Sequence, residues 1–193
     1  MKKIFLMTIL LVCTVIANAQ NEKGKFTIAP TLGMNLTNIT DYEDSKVKAG
    51  MVIGANGEYG ITDRIGISAG IMFSMQGAKW SGDGWTEKER LNYVNIPILA
   101  NFYLYKGLAV KTGIQPGVLL NAKYVEKEDG EKDTESFTDE CHKFDFAIPI
   151  GVSYEYKRFV IDARYNIHVT KVYKDDEGNS RNSVFQLALG YKF

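Results

Sequence analysis

Bulky apolar side chains recur at every second position along most of this chain. In the final ten residues Phe185, Leu187, Leu189, Tyr191 and Phe193 are all large. The positions between them, Val184, Gln186, Ala188, Gly190 and Lys192, are mostly small or polar. Period two is the side-chain period of a β-strand, because successive Cβ atoms point to opposite faces. The same alternation runs through Phe26–Leu36, Ile65–Met75, Phe144–Tyr156 and Phe159–Val169. It predicts eight strands at about 25–37, 47–60, 64–78, 91–104, 107–122, 143–156, 159–171 and 182–193. Amphipathic helical periodicity is missing.

The connections alternate in length. Short ones fall near Ile61–Asp63, Tyr105–Lys106 and Lys157–Arg158; long ones cover Asn38–Lys46, Lys79–Arg90, Lys123–His142 and Val172–Arg181. This interleaving puts every long loop at one end of an up-and-down meander, the asymmetry of bacterial outer-membrane barrels. The composition of the second face decides what the bulky face touches. A water-soluble barrel would crowd its solvated face with Lys, Glu, Thr and Gln. Here that face is Gly, Ala, Ser and Asn with a few charges of both signs. Such a face suits the lumen of an eight-stranded barrel, which is just wide enough to be filled by side chains. The reading is therefore an all-β, eight-stranded antiparallel up-and-down transmembrane β-barrel with a filled polar lumen, its bulky face on lipid. Aromatics gather at both strand ends: Phe26, Tyr59, Phe102, Tyr156, Phe159, Tyr191 and Phe193 near the short turns, Trp80, Phe144, Tyr173 and Phe185 near the long loops. That is the pattern of interfacial girdles.

The first nineteen residues stand apart. Lys2 and Lys3, an apolar run from Ile4 to Ile16 and then Ala17–Asn18–Ala19 read as a secretory signal peptide over 1–19, cut after Ala19. The barrel domain then occupies 20–193. Val12 is not the small residue a lipoprotein signal needs before Cys13. Cleavage leaves Cys141 as the only cysteine, so no intrachain disulfide staples the fold. Lys+Arg and Asp+Glu each number 23, and losing Lys2 and Lys3 makes the remainder slightly acidic. No nucleic-acid partner is indicated. The expected location is the bacterial outer membrane.

Several stretches resemble the PorT-like outer-membrane β-barrel domain family of Bacteroidetes. They are Tyr93–Ile98 (YVNIPI), Gly113–Leu120 (GIQPGVLL), Asp145–Tyr156 (DFAIPIGVSYEY), Ile161–Ile167 (IDARYNI) and the terminal aromatic strand. The resemblance implies a small outer-membrane barrel and does not imply one activity. It also implies that Phe185, Leu187, Leu189, Tyr191 and Phe193 form the terminal signal read by the barrel-insertion machinery. The prolines Pro30, Pro97, Pro116 and Pro149 all fall inside predicted strands. Proline cannot donate to a ladder, so bulges or ladder gaps are expected there.

Candidate chemistry is sparse. Glu58, Lys111, Asp145, Glu155, Asp162, Arg164 and Lys192 all fall on the lumen parity. They read as a structural polar network, because opposite charges in a narrow lumen can satisfy one another. His168 is the only histidine inside a strand, and no distinctive nucleophile spacing accompanies it. Cys141 and His142 are too few for a specific metal site. No catalytic, cofactor or metal residues are assigned. Trp80 and Trp85 flank a glycine-containing loop tip and are candidates for surface recognition. The acidic segment 126–140 reads as a mobile loop, and 175–179 as a hairpin tip. The expected partners are outer-membrane lipid, the insertion machinery and an unidentified extracellular or periplasmic molecule. The favoured role is structural, adhesive or surface-recognising through four long extracellular loops. A lipid-modifying barrel enzyme and an accessory barrel of a secretion apparatus are the alternatives.

Overall fold

The strand β11 (Asn182–Tyr191) shows which way the alternation faces. Val184, Gln186 and Ala188 are 0, 4 and 3% exposed, whereas Phe185, Leu187 and Leu189 are 42, 42 and 51% exposed. Bulky groups point out and small or polar groups point in. A computed structural model of the chain describes residues 23–41, 45–82, 85–128, 131–175 and 178–193. The expected signal peptide and its cut lie outside the described residues.

The other strands are β1 (Phe26–Ile39), β2 (Lys48–Gly60), β3 (Ile65–Gln76), β4 (Lys79–Ser81), β5 (Trp85–Asn95), β6 (Ile98–Tyr105), β7 (Leu108–Glu128), β8 (Glu131–Ser136), β9 (Phe144–Tyr156) and β10 (Phe159–His168). All pairings are antiparallel, and β1 pairs with both β2 and β11, so the sheet closes on itself. β5 and β6 together make one stave. The result is a closed eight-stranded barrel, the predicted architecture. Closure leaves no unpaired edge to face hydrocarbon, where an unsatisfied backbone group costs several kcal/mol.

Short turns close one end. At Lys106–Gly107 both residues take positive φ, 32° and 84°. That backbone matches the right-handed twist of a two-residue hairpin, and glycine supplies it without a Cβ penalty. At this end Phe26, Tyr59, Phe102, Tyr156, Phe159 and Phe193 are exposed in a ring. Tyr191 sits between Phe159 and Phe193, its ring centroid 5.2 and 4.9 Å from theirs. Lys106 and Lys157 lie over the rings of Tyr105 and Tyr156. An aromatic body with a cation beside it fits the membrane–water boundary.

The prolines sit at ladder gaps. β5 and β6 part at Ile96–Pro97, opposite Gln115–Pro116 of β7, whose ladder is interrupted there. On the other side of β7 the β9 pairing skips Gly113–Ile114 opposite Ile148–Pro149. Three prolines on neighbouring staves thus share one weakened band. Pro30 pairs with Ala55 of β2 and lies just past Thr31, where the β1–β11 ladder ends.

The long-loop end departs from expectation. β5 starts at Trp85 rather than near 91, and β7 runs on to Glu128 rather than ending near 122. The acidic segment expected to be mobile forms β8, paired to β7 from Lys123↔Ser136 to Glu128↔Glu131. With β4 on the other side of β5 these strands make a four-stranded ribbon beyond the apolar band. Its few apolar residues, Trp80, Trp85, Tyr124 and Val125, are scattered among charged ones, so it shows no sustained hydrophobic alternation. Gly77, with φ of 116°, turns the chain from β3 into β4; a Cβ there would meet the Glu89 carbonyl oxygen at 2.2 Å. Phe144 and Phe185 remain exposed as the outer girdle, but Tyr173 is buried and Trp80 packs on the core. These two aromatics therefore do not belong to that girdle.

Leu187→Arg or Ile148→Arg should each destabilise the barrel by about 2–4 kcal/mol, the cost of a cation near the bilayer midplane. Denaturant unfolding in phospholipid vesicles checks this. A change within about 0.5 kcal/mol at both sites, the usual scale of a neutral surface position, would remove the lipid from that face.

Candidate functional site

The lumen is rich in polar side chains and is closed at both ends by different means. At the short-turn end the alternation of β2, β7, β9 and β10, with Lys192 just past β11, brings six of the predicted lumen residues together. Lys111 donates to Asp162 at 3.0 Å, and Arg164 Nε donates to the other Asp162 oxygen at 2.7 Å. Lys192 donates to Glu155 at 2.6 Å and lies 3.5 Å from Glu58. The Tyr103 hydroxyl donates to Glu58. Three carboxylates face three cations, and all six side chains are largely enclosed. The cavity left among them is about 40 Å³, room for a few waters at most. Opposite charges at these distances offset the cost of leaving water only because each is also hydrogen-bonded.

Asp145, the seventh predicted member, is not in this cluster. It lies toward the outer end, where its carboxylate accepts from Thr170 Oγ1 at 2.6 Å and sits 2.6 Å from His168 Nδ1. The His168 side chain is fully enclosed. Between the two clusters lie Asn35, Gln115, Asn166 and Gln186, which are all buried. Asn35 donates to Ser74 at 2.9 Å, and Asn182 donates to the Tyr93 hydroxyl at 3.3 Å.

The outer mouth is closed by an apolar plug of Ile39, Leu91, Tyr93, Leu119, Phe137, Cys141, Val172 and Tyr173. Sequence reasoning missed it, because Phe137, Val172 and Tyr173 lie in stretches read as loops. Their bulk inside otherwise polar loops was the available signal. The loops fold inward through an isolated bridge between Cys141 and Tyr173 and through the His142 N–H to the Val172 carbonyl, 2.8 Å. The rings of Tyr124 and Phe137 stack at 4.0 Å. Burial pushes the Cys141 thiol up to about 12, and the carboxylates of Glu89 and Glu140 push it the same way. Tyr103 was also missed; it shares its parity with Asn101, which points to the lumen within an otherwise aromatic run.

Above the plug, Trp80 and Trp85 are brought together. Trp80 lies opposite Glu87 on the β4–β5 hairpin, and Trp85 folds back over Gly82. Residues 83–84 of that tip, and 176–177 of the expected 175–179 tip, lie outside the described residues. The terminal residues Phe185, Leu187, Leu189 and Phe193 all face outward, with Tyr191 partly covered by its aromatic neighbours. Among the described residues no three histidine, cysteine or carboxylate groups converge as a metal would require.

A closed sheet, an apolar belt, an aromatic ring at the short-turn end and a sealed polar lumen define a small outer-membrane β-barrel. Residues 18–174 match the family model described as outer membrane protein beta-barrel domain, and the chain belongs to that family. Solved structures with the same fold include Ail, the attachment invasion locus protein of Yersinia pestis. It is 16% identical, with a TM-score of 0.53 over 89% of this chain and 99% of Ail. Neisserial surface protein A is 12% identical, with a TM-score of 0.54 over 87% of this chain and 97% of that one. No curated protein matches the chain.

Arg164→Ala leaves the Asp162 carboxylate with half of its partners, so it should cost about 3–5 kcal/mol. Adding Asp162→Asn should recover part of the loss, as read by denaturant unfolding in detergent. Cys141, buried and protonated at pH 8, should react with maleimide at least about a hundredfold more slowly in the folded barrel than after boiling. Peptide mass analysis of the Cys141 fragment reads this, and equal rates would mean that the plug is open.

Proposed function

We propose that this barrel is a surface-recognition protein with an adhesive role, working through the ribbon that projects from its outer end. The observation that carries the reading is the four-stranded extension of β4, β5, β7 and β8 above a sealed lumen. A barrel filled by ion pairs at one end and an apolar plug at the other has no conduit to offer. What it presents is an ordered, polar, two-faced sheet held away from the membrane on a rigid base. Within the family, the resemblance of Tyr93–Ile98, Gly113–Leu120, Asp145–Tyr156 and Ile161–Ile167 supports a PorT-like assignment. A cleaved leader over 1–19 delivers it across the inner membrane, and β11 with the following Phe193 is read by the insertion machinery.

Ail of Yersinia pestis has been solved in complex with the heparin analogue sucrose octasulfate. A polyanion is the wrong partner for the groove of this chain's ribbon, which Glu87, Glu126 and Glu135 line. The lipid-modifying alternative draws no support from His168, whose ring is enclosed and committed to Asp145.

The test is display of the full chain on a bacterium lacking it, with adherence to cells and matrix-coated surfaces counted. A second chain has β7 and β8 joined by a short turn between Val125 and Thr134. The shortened chain should keep its heat-modifiable folded band and lose most of the adherence. Equal adherence by both chains, or none by either, would remove the proposed role.

A further inference from the structure

Both tryptophans of the chain, Trp80 and Trp85, line a single groove of about 480 Å³ at the outer end. Tyr124, Glu87, Glu126 and Glu135 complete its walls, and Glu89 lies at its floor. Strand register explains why they meet. Trp80 is opposite Glu87, Glu87 opposite Glu126, Glu89 opposite Tyr124, and Tyr124 opposite Glu135. All therefore share one face of the ribbon. The same face continues down through Leu91, Ala122 and Phe137 into the plug, so the groove has a rigid base. Lys88, Arg90 and Lys123 occupy the opposite parity of β5 and β7.

Two features of this face point to a ligand. First, Glu87 and Glu126 stand directly across from each other, an arrangement that like charges disfavour. A cation between them would relieve the repulsion. Second, the remaining wall is aromatic, and indole and phenol faces attract organic cations. The floor carboxylate belongs to the structure rather than to the ligand. Glu89 is 3% exposed and accepts from the Tyr173 hydroxyl, with Tyr124 bonded to it as well. Burial raises it above the ordinary carboxylate range. The groove volume is that of a small-molecule site. The wall carboxylates sit on three adjacent strands, spaced by about 4.8 Å per strand, and do not converge on a point. That spacing suits a chain of ammonium groups separated by methylenes better than it suits one metal ion.

We propose that the groove binds an aliphatic polyamine, with its ammonium groups on Glu87, Glu126 and Glu135 and its methylenes across the two indoles. This deepens the surface-recognition reading by naming what the ribbon's inner face recognises.

The experiment uses the full chain folded in detergent. Because the only two tryptophans line the groove, intrinsic emission reports on it directly. Titration with spermidine should give a saturable change. Sodium chloride at matched ionic strength and sucrose octasulfate should not. Glu87→Gln with Glu126→Gln should weaken the midpoint at least tenfold while the heat-modifiable band persists. Glu126→Gln alone, at an exposed position, should weaken it measurably and guards against a folding failure in the double variant. A titration that does not saturate, that salt reproduces, or that the substitutions leave unmoved overturns the proposal. Saturable, carboxylate-dependent binding by a barrel that fails to adhere would uphold the ligand and remove the adhesive role. Adherence without such binding would do the reverse.

Discussion

Everything in this molecule follows from the need to satisfy each backbone N–H and C=O inside hydrocarbon, where water is not available to do it. A sheet meets that need only by closing, and the β1–β11 ladder from Thr31↔Gly190 to Ile39↔Asn182 is the seam that closes it. Closure at eight strands then sets the lumen width. Side chains on the inner face must be small where staves crowd and polar where they can pair. Gly33 shows the crowding: a Cβ there would lie 2.3 Å from the Leu187 carbonyl oxygen. The outer face is freed from any packing partner except lipid, which accepts Leu, Ile, Val and Phe in any order.

The lumen is sealed twice because its two ends meet different surroundings. The short-turn end has turns too brief to fold inward, so the seal must come from the strands themselves. Charges of opposite sign on staves separated by one neighbour, Lys111 with Asp162 and Lys192 with Glu155, can reach across the narrow interior. At the outer end the long loops have enough chain to fold back. Phe137, Val172 and Tyr173 then close the mouth in the manner of a soluble protein core. One barrel therefore carries an ionic seal and an apolar one, each fitted to the chain length available.

How legible this was in the sequence depended on which force orders each segment. Within the membrane, two solvents of different polarity act on the two faces, so burial writes itself into the sequence as alternation. The staves containing Phe185–Phe193 and Phe144–Tyr156 could be read directly, including which side faces out. The lumen pairings were legible as a set of residues but not as partners. Parity says that Asp145 and Asp162 both point inward, while height along the barrel, set by register and shear, sends Asp145 to His168 instead. The ribbon was not legible, because its inward-facing parity carries Glu87, Glu89 and Glu126 where the staves carry apolar or small groups, and so leaves no period-two signature. The plug was hidden for a related reason: a few apolar residues in a polar loop carry no period at all.

That division also says where the chain is free to choose its chemistry. Positions that face lipid are constrained to be apolar, and positions that face the lumen are constrained to neutralise one another. Neither set has a free choice of chemistry. Only the segment beyond the apolar band is released from both constraints, and there the chain places its two tryptophans and a run of carboxylates on one face, with lysine and arginine on the other. A ribbon needed only to cap the barrel could have been short and mixed in sign. Sorting charge by face repeats like charges across strands, which opposes folding slightly at each pair. On the reading proposed above, the carboxylate face meets its counter-charge from outside the chain.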